Sequence, residues 1–337
     1  MTHVGRRSRL AHAGGRSTSI AGAAALVGLM VWRLGGSPFL IGVGAVSAPS
    51  LAAAGSLGAL ATVACAWRWV LVARGLGVAL PLPTAIAAYY RSQFLNLALP
   101  GGVLGDVQRG ASHGREVGDL GAGLRAVMWE RTAGQVVHVA LALVLLAVLP
   151  SPVRSPLLFA VPATAAGVAA VLLLVRRRVS RRSDRLTRTL RAAVDDARRA
   201  LLVGRAGLGI VATSCLVVAA HLSTFVIAAR TAGAAAPAVQ LLPLGVLVLL
   251  AMALPLSVAG WGPREVVAAP LFGAAGLSAG QGIAATTAYA VLALAATLPG
   301  ALVLVVSALS PARRHRAAGS PQPAALPPGC TQGAGRA

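Results

Sequence analysis

The sequence predicts an all-α, polytopic helical membrane protein with six to eight spans, two broken or re-entrant helical segments and a possible inverted repeat. Three observations predict it. Of 337 residues, 57% are hydrophobic and only 11% charged, and the mean hydropathy is +0.77, too apolar for a water-soluble domain of that length. Six apolar runs approach the roughly 20 residues that a helix rising about 1.5 Å per residue needs to cross a hydrocarbon core of about 30 Å. The arginines, finally, are gathered between those runs: four in the first eighteen residues, eleven over 176–205 and four after position 310. This is the distribution that the positive-inside rule gives to cytoplasmic segments.

Residues 1–18 form a basic tail, followed by a short apolar run over 19–34. A cleavable leader does not fit: a small-residue site such as Val46-Ser47-Ala48 lies far beyond the apolar stretch and precedes Pro49, so a retained first anchor is expected. Further runs cover 50–73, 124–149, 156–175, 206–229 and 282–309. With the N-terminus inside, alternation of the six puts the basic 176–205 loop and the C-terminus inside as well. The sequence thus divides into a tail over 1–18, a transmembrane domain over 19–309 and a Pro/Gly/Ala-rich tail over 310–337 expected to be disordered. The location expected is a cell membrane, the inner one where there are two, with both termini cytoplasmic. In the 176–205 loop, Leu186, Leu190, Val194, Ala197 and Leu201 recur at helical spacing opposite arginines. Two readings stand: an amphipathic helix drawn to anionic lipids, or a topology determinant without a ligand. A net charge of +22 carried in loops between spans argues against a nucleic-acid partner.

Two other apolar stretches are interrupted by Pro and Gly beside charges. One runs over 82–99 into Pro100-Gly101-Gly102-Val103-Leu104-Gly105-Asp106-Val107-Gln108-Arg109. The other runs over 239–254 into Pro255-Leu256-Ser257-Val258-Ala259-Gly260-Trp261-Gly262-Pro263-Arg264-Glu265 and stays apolar to about 276. Non-helical backbone at membrane depth survives only where protein buries it or a wet cavity hydrates it. Both breaks are therefore expected to face a cavity, as discontinuous helices do in transporters with inverted repeats. The second stretch could alternatively be two complete spans.

Three acids and three bases sit beside these segments as neighbours: Asp106 with Arg109, Glu130 with Arg131, and Arg264 with Glu265. Left facing lipid at about 3 kcal/mol each they would outweigh a typical domain's stability, so they must pair, hydrate or lie at an interface. Asp106 and Arg109, three apart, can pair on one helix. Glu130 and Arg131 point about 100° apart, which favours Glu130 with Arg109 or Arg264. The competing reading makes them headgroup-level helix caps. Pro263 and Glu265 suit the first turn of a helix, and Asp106 reads as an N-cap after a glycine turn. Gly101, Gly102, Gly105, Gly260 and Gly262 would let backbone amides approach a ligand, and Arg109 and Arg264 offer planar forks to phosphate oxygens.

At these residues the sequence resembles the lysylphosphatidylglycerol synthase transmembrane region, or flippase-like membrane domain, over nearly all of 19–310. The landmarks are Trp67-Arg68-Trp69, Ser92-Gln93-Phe94-Leu95-Asn96 leading into Pro100-Gly101-Gly102 and Gly105-Asp106 with Arg109, then Glu130-Arg131, then Pro255 with Gly260-Trp261-Gly262 and Arg264-Glu265. Leu104 and Pro263 depart from the family's usual small residues. In members that make aminoacyl-lipids this region precedes a soluble transferase domain and is implicated in moving the product between leaflets. Only 28 residues follow Leu309, so the resemblance implies translocation or another lipid-linked role and not aminoacyl transfer.

The remaining residues suggest little chemistry. Cys65, Cys215 and Cys330 are too far apart for a metal or redox motif, and no Ser/His/Asp order invites a hydrolase reading. No cofactor is implied. His138 and His221 lie in spans, where a lone histidine is more often a helix-to-helix hydrogen bond than a proton shuttle. Trp67 and Trp69 around Arg68, and Tyr89-Tyr90-Arg91, read as interfacial belts. Three functions remain: a flippase or transporter binding an anionic phospholipid or polyprenyl-phosphate head group through Arg109 and Arg264, with Asp106, Glu130, Arg131 and Glu265 around them; a membrane-embedded lipid-linked transferase with Asp106 or Glu130 as base; or a non-catalytic accessory subunit. The first, which requires no catalysis, is the reading these residues favour, and its partner is a membrane lipid. Oligomeric state is left open.

Overall fold

A computed structural model describes residues 36–99, 102–149, 195–196, 198–199, 206–252 and 263–309. The expected spans over 19–34 and 156–175 and nearly all of the 176–205 loop lie outside them, as do Gly101, Gly260 and Gly262. The described elements are all helical: α1 (Ser37–Gly44), α2 (Ala48–Gly75), α3 (Leu82–Ala98), α4 (Leu104–Glu116), α5 (Leu120–Val148), α6 (Ala206–Thr231), α7 (Ala238–Ala251), α8 (Pro263–Ala274) and α9 (Ala279–Leu309). Four are long and apolar enough to cross a membrane, namely α2, α5, α6 and α9. They coincide with the four expected spans that fall on described residues. Helix α1, which hydropathy does not single out, packs against α9.

Both interrupted stretches fold as helical hairpins. Helices α3 and α4 have 17 and 13 residues, about 25 and 20 Å at 1.5 Å per residue, each too short to cross alone. They run antiparallel, with Ser92 opposite Asp106 and Tyr89 against Arg109. The second hairpin, α7 and α8, has 14 and 12 residues. Gln240 at its start donates to the carbonyl of Ala275 just past its end, at 2.7 Å. Among the described residues neither helix is long enough to cross a membrane alone.

Long helix, hairpin, long helix therefore occurs twice, as α2–α5 and α6–α9. The packing follows the same exchange. Helices α2 and α6 lie against one another, α3 packs on α9 as α7 does on α5, and α5 packs on α6 as α9 does on α2. Each of these inter-half contacts among the described helices has its counterpart under the swap of halves, as a two-fold pseudo-symmetry requires. Helix α2 is the most enclosed of the long four, whereas the most apolar stretches of α5 and α9 are little buried. Val136, Val144 and Val148 on α5 and Leu298, Leu302 and Val305 on α9 are among the exposed ones, consistent with lipid contact.

Small residues set the close crossings, because apolar lipid offers little driving force for burying large side chains and favours backbone approach. A Cβ at Gly123 of α5 would collide with the Gly110 carbonyl and the Gly114 nitrogen of α4. One at Gly105 would collide with the Ser92 carbonyl, and one at Gly300 of α9 with that of Tyr90. The α7 to α9 side is filled instead by Phe225, edge-on to Phe272 at 6.4 Å between centroids and tilted against Tyr289 at 6.3 Å.

Gly123→Val is expected to separate α4 from α5 and to cost about 1–3 kcal/mol of overpacking, read as a lower unfolding temperature in detergent. Gly55→Ala, where a Cβ meets nothing within 4 Å, should leave it equal or higher because alanine is the better helix former.

Candidate functional site

The first hairpin brings its charges against α2 and α5. Helix α4 begins at Leu104 with Val103 as N-cap, so Asp106 is in the first turn and is not the N-cap that its position after glycines suggested. The cap is supplied from α3: the Asn96 carboxamide oxygen accepts from the Gly105 N–H at 2.7 Å, and its nitrogen donates to Asp106 Oδ2 at 2.9 Å. Gly102, at φ 64, makes the left-handed turn that joins the two helices, a conformation glycine adopts without steric cost. Asp106 also accepts from Ser92 Oγ at 3.0 Å and from Arg109 Nη2 at 3.1 Å, and is paired with Arg131.

Glu130, fully buried ten residues into α5, is the centre of the cluster. Its Oε1 accepts from Arg68 of α2 and, at 3.0 Å, from the Tyr89 hydroxyl of α3. Its Oε2 accepts from Arg109 Nη2 of α4 at 3.0 Å. The expected pairs Asp106 with Arg109 and Glu130 with Arg109 both form, and complete burial does not fit a headgroup-level cap for Glu130. Arg68 completes its fork on Ser214 Oγ of α6 at 3.1 Å. Gly134 makes room for it, since a Cβ there would lie 2.9 Å from the guanidinium carbon.

Arg109 occupies a different place from the one expected of a phosphate ligand. It is fully buried, with its guanidinium carbon 4.4 Å from the ring centre of Trp69 and 4.1 Å from that of Tyr89, a cation held between two π faces. Its Nε and Nη1 have no hydrogen-bond partner among the described residues. Trp69, Tyr89 and Arg91 are buried as well, which corrects the interfacial-belt reading for these three. Trp67, half exposed, and Tyr90, partly exposed, remain compatible with it.

Described residues flanking both interruptions line one cavity of about 350 Å³, with Asn96, Leu97 and Gly102 from the first hairpin and Met252 and Arg264 from the second. Arg68, Arg131 and Arg264 line it, and no Asp or Glu is among its described lining residues. Arg131, whose side chain is 45% exposed, is the most open of the charged groups in the cluster. Arg264 and Glu265, adjacent in the first turn of α8, are both buried and in contact with each other. Glu265 does not reach the cavity lining. Arg109 lies outside that lining too and faces a second, smaller cavity with Trp69, Arg91 and His113.

Residues 17–300 match the family described as the lysylphosphatidylglycerol synthase TM region. The chain belongs to that family. No curated protein and no solved structure gives a match. Membership and the four long apolar helices make the chain a multi-pass membrane protein. In this member of the lysylphosphatidylglycerol synthase TM region family the residue that sequence reasoning passed over is Arg68. Its place between two tryptophans suggested a belt, while its position inside an otherwise apolar run, more than a turn before the run ends, was the signal for a buried ion pair.

Removing Glu130 leaves Arg68 and Arg109 buried without their shared counter-charge, and Glu130→Ala is expected to destabilise the chain by about 3–5 kcal/mol. Arg131→Gln, at a half-exposed side chain, should cost distinctly less. Thermal unfolding of the two purified variants gives the comparison.

Proposed function

We propose that the chain binds the anionic head group of a phospholipid or polyprenyl-phosphate lipid in the larger cavity and moves it across the membrane. The observation that carries this reading is the composition of the cavity wall: three guanidiniums and no carboxylate among its described residues, at the meeting of two broken helices. Among the ion pairs of the described residues, Arg68, Arg109, Arg131 and Arg264 are set against Asp106, Glu130 and Glu265. The excess positive charge in a medium of low dielectric favours an anion.

Arg131 and Arg264 are the residues proposed to engage phosphate, from α5 in one half and α8 in the other. Arg68 adds positive potential while its fork stays on Glu130 and Ser214. Arg109 acts through others, holding Glu130 and Asp106 in place so that Asp106 can exchange Arg131 with a bound phosphate. The Gly102 turn allows the backbone to come close, and Gly101, Gly260 and Gly262 are assigned the same part. A volume of about 350 Å³ suits a head group and not a whole lipid, and Leu57, Leu97, Val217 and Leu249 along the same wall offer apolar surface to the adjoining chains. On this reading both termini face the cytoplasm.

Proteoliposomes carrying a fluorescent phosphatidylglycerol test it. Wild-type chain should expose the label to an external quencher faster than empty vesicles, and Arg131→Ala and Arg264→Ala should each remove most of that acceleration at equal reconstitution. Undiminished rates in both variants would refute the assignment. A covalent product formed from a lipid and a donor by the purified chain would favour the transferase instead.

A further inference from the structure

The larger cavity also holds two imidazoles to which head-group binding assigns no part. His138 of α5 and His221 of α6 both line it. His221 Nδ1 lies 3.0 Å from the hydroxyl of Tyr289 on α9, the helix-to-helix hydrogen bond that a histidine in a span is expected to make. Tyr289 is fully buried, so the ring is held in a fixed orientation. The bond serves either protonation state: the tyrosine O–H donates to a neutral ring nitrogen, and its oxygen accepts from a protonated one. His138 Nε2 is buried and has no hydrogen-bond partner among the described residues.

The titratable and charged groups around these rings come from every neighbouring helix. They are Cys65 and Arg68 on α2, Tyr89 on α3, Arg131 on α5 with Glu130 behind it, Arg264 on α8 with Glu265 behind it, and Tyr289 on α9. Helix α6 contributes Ser214 and Thr224, and α7 the apolar Leu249 and Met252. Every charged group on the described cavity wall is a guanidinium. An imidazolium formed there with the cavity empty meets like charge on the wall, the carboxylates behind it being already paired. A bound oxyanion reverses that balance, so each ligand makes the other's binding more favourable.

We propose that the cavity binds a proton together with its anion, on the pair His138 and His221, so that a singly charged head group and one proton enter and leave as an electroneutral unit. The proton comes from the water that the cavity admits and returns to it on release, and no bond other than N–H is made or broken. This inference rests on the head-group reading and adds to it the coupling ion. An electroneutral unit crosses without working against the membrane potential, and a proton gradient would give the movement a direction.

Calorimetric titration of the purified full chain with dihexanoyl-phosphatidylglycerol provides the test. That phosphodiester stays singly ionised between about pH 6 and 8, where histidine titrates, so proton uptake belongs to the protein. Runs in two buffers of different ionisation enthalpy should give different heats corresponding to uptake of up to one proton. Affinity should rise as pH falls, by at most about tenfold per pH unit. In the double variant His138→Gln, His221→Gln both effects should vanish while binding at about pH 8 persists; the glutamine amide at 221 can still reach Tyr289, and a wild-type unfolding temperature checks the fold. Lipid binding with no buffer dependence, or undiminished uptake in the double variant, overturns the proposal and leaves the head-group reading standing. Absence of any lipid binding overturns both. A parallel titration with sulfate identifies the anion: proton-linked binding of lipid alone supports a head-group site, and proton-linked binding of both supports a site for oxyanions generally.

Discussion

A guanidinium cannot be left unpaired inside a membrane protein, and Glu130 is where this chain meets that requirement. One carboxylate takes Arg68 from α2, Tyr89 from α3 and Arg109 from α4, and itself stands on α5. Four helices of the first half are thus tied to a single side chain, far more tightly than the surrounding alanines and valines could hold them. Desolvating such ions costs several kcal/mol apiece, so a network of this kind stabilises little by its own formation and strongly resists the loss of any one member. It fixes how the helices are placed rather than how stable they are. The aromatic faces of Trp69 and Tyr89 on either side of Arg109 replace part of the hydration that burial removes.

The same constraint explains where glycine is used. Charges can meet between helices only if the backbones come close, and at the α3 to α4 and α4 to α5 crossings they do so over Gly105, Gly110, Gly114 and Gly123. Asn96 then satisfies the start of α4 with its own side chain, and Gly102 supplies the left-handed turn between them. A hairpin with free amides and carbonyls at its tip is intolerable against lipid and acceptable against a wet cavity. Both hairpins contribute residues to one such cavity, and the swap-symmetric packing of the two halves brings them there.

The two halves are not equivalent in chemistry. Behind the cavity the first half carries an interlocked set of five charged side chains, while the described part of the second carries Arg264 beside Glu265 on α8 and is otherwise packed by Phe225, Phe272 and Tyr289.

Composition and run length determined the class, the four long helices seen here and the position of both breaks, because the hydrocarbon thickness and the need to satisfy backbone polar groups act on sequence directly. The i, i+3 pair of Asp106 and Arg109 was legible for the same local reason, as was the unsuitability of Glu130 and Arg131 for one another. Spacing along a chain says nothing about which side of a helix meets which neighbour, and there the tertiary structure decided. It buried Trp69, Tyr89 and Arg91 instead of setting them in a belt, gave Arg68 the ion pair that its aromatic flanks concealed, moved Arg109 behind the cavity wall and brought Arg131 onto it. In a uniformly apolar sequence hydropathy cannot tell a face turned to lipid from one turned to protein, and only the packing of the helices separates the two.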